Sequence, residues 1–197
     1  MRFKIKNTDV KISFSFFAVV LLATVSDAFA VPLMSFIASL IHELTHVFFI
    51  VIFKAKITSF SLSVFGGNIK RRAFCEIGNL KEAVISYSAP LVNILIGVCF
   101  MFLSEKTFTF GVVNMFLGLF NLMPFYSFDG GRGLYYLLTP ALTEKTAETV
   151  INVLSVAVTV VFSFVSVFVF FNYNDNYILL FMAVYMILSL VFINYKL

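Results

Sequence analysis

Charge is scarce in this chain. Only 12% of its 197 residues are Asp, Glu, Lys or Arg, about half the share that a soluble domain carries. Such a chain cannot cover a water-facing surface. With 61% hydrophobic residues and a mean hydropathy of +1.01, its solvent is the bilayer. No hydrophilic stretch is long enough to fold separately in water, so residues 1–197 read as one integral membrane domain. The two cysteines, Cys75 and Cys99, form no CxxC pair, which excludes a disulfide framework and a thiol redox motif. The net charge of +4 does not mark a nucleic-acid binder. The basic residues are scattered at the ends of apolar runs, with one small cluster at Lys70, Arg71 and Arg72, and they read as topology determinants.

Apolar runs near the ~20 residues needed to cross hydrocarbon fall at about 12–31, 33–53, 83–103, 109–123, 147–171 and 177–195. The N-terminal run, with Arg2, Lys4 and Lys6 before it and Ala28-Phe29-Ala30 at its end, has the outline of a signal peptide. It is long for one, and Pro32 follows directly, so it reads as an uncleaved first span. The expected fold is an all-α polytopic membrane protein of six transmembrane helices. Threading them from a cytoplasmic N-terminus puts thirteen of the fourteen Lys and Arg residues inside and Lys106 alone outside, which places both termini in the cytoplasm of a multi-pass cell-membrane protein.

One segment departs from helical character. Phe60, Leu62 and Val64 alternate with Ser59, Ser61 and Ser63, and Gly66-Gly67-Asn68 supplies a turn. Period two predicts a membrane-associated β-hairpin over 57–69, after the second span. The alternative is a plain cytoplasmic loop. A hairpin there suits the capture of an extended substrate by strand addition, with Phe60 and Leu62 as contact residues.

Histidine is scarcer still. The chain has two, His42 and His46, and both lie inside an apolar run as His42-Glu43-Leu44-Thr45-His46. On a helix, residues four apart share a face, so two imidazoles can grip one Zn²⁺ while Glu43 acts as general base. That is the metalloprotease HExxH arrangement. Ionisable groups at bilayer depth cost several kcal/mol unless paired, and mark function by default. The bland alternative is a pair of core histidines bonded to a neighbouring helix. A catalytic zinc also needs a third protein ligand. Asp129 is the best candidate: it follows the fourth run, after the helix-breaking Pro124 and directly before Gly130 and Gly131. Broken membrane helices are tolerated only where they are buried or line a cavity. The alternative for Asp129 is a helix N-cap.

HExxH in an early span, followed by Asn121-x-x-Pro124-x-x-x-x-Asp129-Gly130, resembles the site-2 proteases, the zinc intramembrane metalloproteases. The resemblance implies His42, His46 and Asp129 as ligands and Glu43 as base. Ser88-Ala89-Pro90-Leu91-Val92-Asn93 is similar to the family's Gly-Pro-x-x-Asn segment, with Ala89 where Gly is usual. It implies Asn93 near the active site, contacting substrate or oxyanion; the alternative is an interhelical hydrogen bond. The plan of spans looks most like the bacterial stage IV sporulation branch, without that branch's CBS domain and without a PDZ domain. This implies regulated proteolysis of a membrane-bound protein such as a sigma-factor precursor, and a membrane regulatory partner. Two rivals stand beside this reading. A CAAX-type protease takes a downstream Glu as third ligand, and none here lies in a matching break. A metal transporter or assembly protein calls for ionisable residues on several spans.

Overall fold

The computed structural model describes residues 2–5, 8–12, 30–54, 57–63, 66–71, 77–172 and 177–194. The chain divides into two compact units, Met1–Leu122 and Met123–Leu197.

The first unit holds four strands, β1 (Arg2–Ile5), β2 (Thr8–Ile12), β3 (Ile57–Ser63) and β4 (Gly66–Arg71), in one sheet of order β1-β2-β3-β4. β1 pairs antiparallel with β2 and β3 antiparallel with β4, while β2 and β3 run parallel. Phe60 thus lies between Val10 on one side and Ile69 on the other. The same unit holds helices α1 (Ala30–Ile52), α2 (Asn79–Leu103) and α3 (Glu105–Leu122). On α1 the buried residues are Ala38, His42, Glu43, His46 and Ile50, a stripe at intervals of four with Glu43 beside it. The other face exposes Leu40, Leu44, Phe48 and Val51, as a helix bathed in lipid would. Lys54, at φ 56°, ends α1 in the left-handed conformation common just past a helix C-terminus.

α2 and α3 approach closely because glycines line their contact. A Cβ at Gly97 would stand 2.8 Å from the Met115 backbone nitrogen, and one at Gly118 would stand 2.6 Å from the Pro90 carbonyl oxygen. Small residues let membrane helices meet backbone to backbone. Gly97→Ala is therefore expected to lower stability by about 1–3 kcal/mol, read as an earlier unfolding midpoint in detergent. Cys99→Ala, at an exposed position, is the control. An unchanged midpoint for Gly97→Ala would mean the two helices lie further apart.

The second unit holds α4 (Asp129–Leu138), α5 (Glu144–Asn172) and α6 (Tyr177–Asn194). Before α4 the chain makes a tight non-helical passage: the Phe125 N–H bonds the Met123 carbonyl and the Phe128 N–H bonds the Phe125 carbonyl. Fully buried Phe125 anchors it, and the Ser155 hydroxyl of α5 accepts the Tyr126 N–H at 2.9 Å. α5 and α6 are joined by polar contacts as well: the Ser166 hydroxyl lies 3.1 Å from the Leu179 carbonyl oxygen.

The expected fold class needs correction on two counts. The protein is not all-α with a lone hairpin: Ile57–Ser63 and Gly66–Arg71 lie in a four-stranded sheet whose other half is N-terminal. Nor do the described residues hold six helices long and apolar enough to be spans. Among the described residues three helices, α1, α2 and α5, are long and apolar enough to cross a membrane. α3 carries Glu105, Lys106, Asn114 and Asn121 within 18 residues, which dilutes its hydropathy. The apolar part of α6 is the shorter segment Leu179–Val191. Most of the first expected span, residues 13–29, lies outside the described residues.

Candidate metal centre

The site is built on α1. One turn of helix separates His42 from His46, and their rings meet edge to face with centroids 5.0 Å apart. Both are buried, at 6% and 8% exposure, and Glu43 beside them is 7% exposed. Each imidazole is held at Nδ1 by a neighbour on α2. His46 Nδ1 lies 2.9 Å from the Ile85 carbonyl oxygen. A backbone carbonyl only accepts, so His46 carries its proton on Nδ1 and, when neutral, presents the lone pair on Nε2. His42 Nδ1 lies 2.9 Å from Asn93 Oδ1, which sets up the same arrangement. Histidines that ligate metals commonly donate their other N–H to an oxygen in this way, which fixes ring orientation and tautomer. Two neutral imidazoles so anchored, one turn apart on a buried stripe, are donors that suit Zn²⁺.

The anchor for His46 is itself well seated. Ile50 of α1 and Ile85 of α2 form a buried cluster with Phe49, Phe53 and Ile77 packed around it. This apolar plug pins the two helices together where the carbonyl meets the ring.

Asn93 is fully buried. Besides His42, its amide serves the Ala38 carbonyl oxygen of α1 at 3.3 Å and Asn114 Oδ1 of α3 at 2.9 Å. These bonds join α2 to α1 and to α3. The neighbour of Asn93 in the network, Asn114, was not singled out from the sequence; the available signal was an amide in the middle of an apolar run. The Ile85 carbonyl had no signal, because any residue type supplies one.

In the second unit Asp129 is the first residue of α4, and Phe128 occupies the N-cap position without a side-chain cap bond. The N-cap alternative for Asp129 is therefore not the one built. A carboxylate in the first turn sits favourably on the helix dipole. Gly131 is required there: a Cβ would fall 2.1 Å from the Phe125 carbonyl oxygen. Phe60 and Leu62 lie on β3, an inner strand whose two sides are taken by β2 and β4. Among the described residues the outer strands of this sheet are β1 and β4, so Phe60 and Leu62, the expected contact residues, stand on an inner strand.

No protein-family model matches the chain. A curated zinc metalloprotease of Methanocaldococcus jannaschii is 29% identical to it over 114 residues, which cover 53% of this chain. The match spans about a third of that relative's length (33%). Among solved structures, a site-2 protease from Methanocaldococcus jannaschii superposes with a TM-score of 0.68, at 22% identity, over 96% of this chain and 93% of that one. The likeness establishes a shared fold.

Proposed function

We propose that this protein is a zinc-dependent intramembrane endopeptidase of the site-2 protease type, cutting a membrane-embedded protein substrate in the cell membrane. The observation that carries the proposal is the pair of buried histidines on one face of an apolar helix, each anchored at Nδ1 by an oxygen of α2, with Glu43 between them. The fold shared with a site-2 protease and the partial sequence match to a zinc metalloprotease support it.

His42 and His46 would hold the metal through Nε2, with Asp129 as third ligand. When bound, Zn²⁺ supplies Lewis acidity that polarises a peptide carbonyl and acidifies water. Glu43 takes the proton of the attacking water and returns it to the leaving amine. The two Nδ1 anchors keep the imidazoles from turning, so the ligands need no rearrangement. A substrate helix hides its carbonyls in its own hydrogen bonds and has to unwind near the cut. An open edge of the sheet, at β4 or β1, would hold the unwound segment by strand addition. The finer reading, carried by the resemblance to the sporulation branch, is a sigma-factor precursor as substrate and a membrane protein as regulator.

Purified protein reconstituted in vesicles with a single-span substrate tests the reading. Cleavage is expected to stop on chelation and to return with added Zn²⁺. Bound zinc without any cleavage would favour a metal carrier and overturn the proposal.

A further inference from the structure

We propose that Asn114 is a positioning residue for metal capture: acting through Asn93, it fixes the tautomer of His42. The inference rests on the zinc-site reading above and adds a residue whose hydrogen bonds go to Asn93 and Phe110 and not to the histidine in question.

The argument starts at the Phe110 backbone. Its carbonyl oxygen only accepts hydrogen bonds, and Asn114 meets it at 2.9 Å. The group of Asn114 turned that way is therefore its NH₂, which leaves its Oδ1 facing Asn93. Only the NH₂ of Asn93 can satisfy that oxygen, at 2.9 Å, and the same NH₂ reaches the Ala38 carbonyl at 3.3 Å. The Asn93 Oδ1 is thereby left for His42 Nδ1, at 2.9 Å. An oxygen there requires a proton on Nδ1, so the Nε2 lone pair of neutral His42 is the one offered to a metal. One backbone carbonyl thus sets two amide orientations and one ring tautomer in sequence, across three helices.

Both asparagines are fully buried, so no bulk water substitutes for a lost partner. With Asn114 removed, the Asn93 amide keeps its orientation by the longer Ala38 bond alone. A flipped amide would turn an N–H toward His42 Nδ1. That favours the opposite tautomer, with its proton on the nitrogen the metal needs. His46 is independent of this relay, because its anchor is a backbone carbonyl. It serves as an internal control within the same protein.

The chain has two histidines, so ¹⁵N-histidine labelling gives spectra of two rings, assigned with a His46→Ala variant. In the metal-free wild type both rings are expected as the Nδ1–H tautomer. Asn114→Leu is expected to move His42 toward the other tautomer, leave the His46 signals in place, and weaken zinc binding about 10-fold in chelator competition; outer partners of metal ligands carry roughly 10–100-fold. Asn114→Leu is expected to cost nothing further in an Asn93→Leu background, because residues acting in one chain do not add. A role in packing alone predicts additive losses and an unmoved His42 tautomer, and either result overturns the proposal. Asn114→Asp is the rescue. Burial favours the neutral form of a carboxyl, and a neutral carboxyl here can donate to the Phe110 carbonyl and accept from Asn93. It is expected to keep the tautomer and near-wild-type affinity, and a loss as large as that of Asn114→Leu would contradict the relay. If zinc binds the wild type but His42→Ala binds it equally well, the zinc-site reading has failed. If binding depends on His42 and not on Asn114, the relay alone has failed.

Discussion

Glu43→Gln is expected to abolish cleavage while leaving zinc bound. The substitution keeps the size of a side chain that is buried beside both ligands and removes its charge and basicity. Positioned general acid–base groups contribute roughly 10²–10⁴-fold to rate, so turnover should fall by at least about 100-fold. Zinc content should not change, because neither imidazole nor its Nδ1 anchor is touched. Loss of zinc in Glu43→Gln would assign the carboxylate to the ligand set. Near-normal turnover with zinc in place would place the base elsewhere.

Asp129→Asn is expected to lose both zinc and activity. Two neutral imidazoles leave the dication with its full charge in a low-dielectric region, where uncompensated charge is costly. One carboxylate halves that charge and leaves a position open for water, as catalytic zinc sites require. Asparagine keeps the shape and removes the charge. The carboxylate stands at the first residue of α4, so its position depends on the Gly131 contact with the Phe125 carbonyl. Gly131→Ala should therefore impair zinc retention too, by displacing the start of α4. Asp129→Glu, one methylene longer, should keep more zinc than Asn but lose rate. Zinc measured per chain by mass spectrometry decides this. Stoichiometric zinc and full cleavage in Asp129→Asn would mean that the third ligand is another residue.

The parts of this site that were legible in the sequence are those fixed by local geometry. The spacing of His42, Glu43 and His46 on a helix needs only the 3.6-residue period, and all three are buried on α1. Period two in residues 57–65 likewise pointed to extended chain, and β3 occupies Ile57–Ser63 of that range. Non-local pairing was not legible. Arg2-Phe3-Lys4-Ile5 alternates as clearly as the serine-rich segment, but its charges were read as part of a signal-peptide outline and as topology signals. Nothing in one sequence reveals that Val10 pairs with Phe60 across a parallel ladder. The span count failed for a related reason. Run length alone counted α3 as a span, although Asn114 and Asn121 already spoiled its apolarity, and Asn114 is spent on the network behind His42. The resemblance implies Asn93 near the active site, and its Oδ1 lies 2.9 Å from His42 Nδ1. Whether it faced substrate or a neighbouring helix depended on contacts with Ala38 and Asn114, which only the packed helices bring together.

The most direct test of the central claim is to map the cut. A single-span substrate is co-reconstituted with the wild-type protein, and the product termini are read by mass spectrometry. The account predicts new termini inside the substrate's apolar segment, absent with Glu43→Gln and absent after chelation. Termini confined to the water-exposed flanks, or the same products from Glu43→Gln, would contradict it.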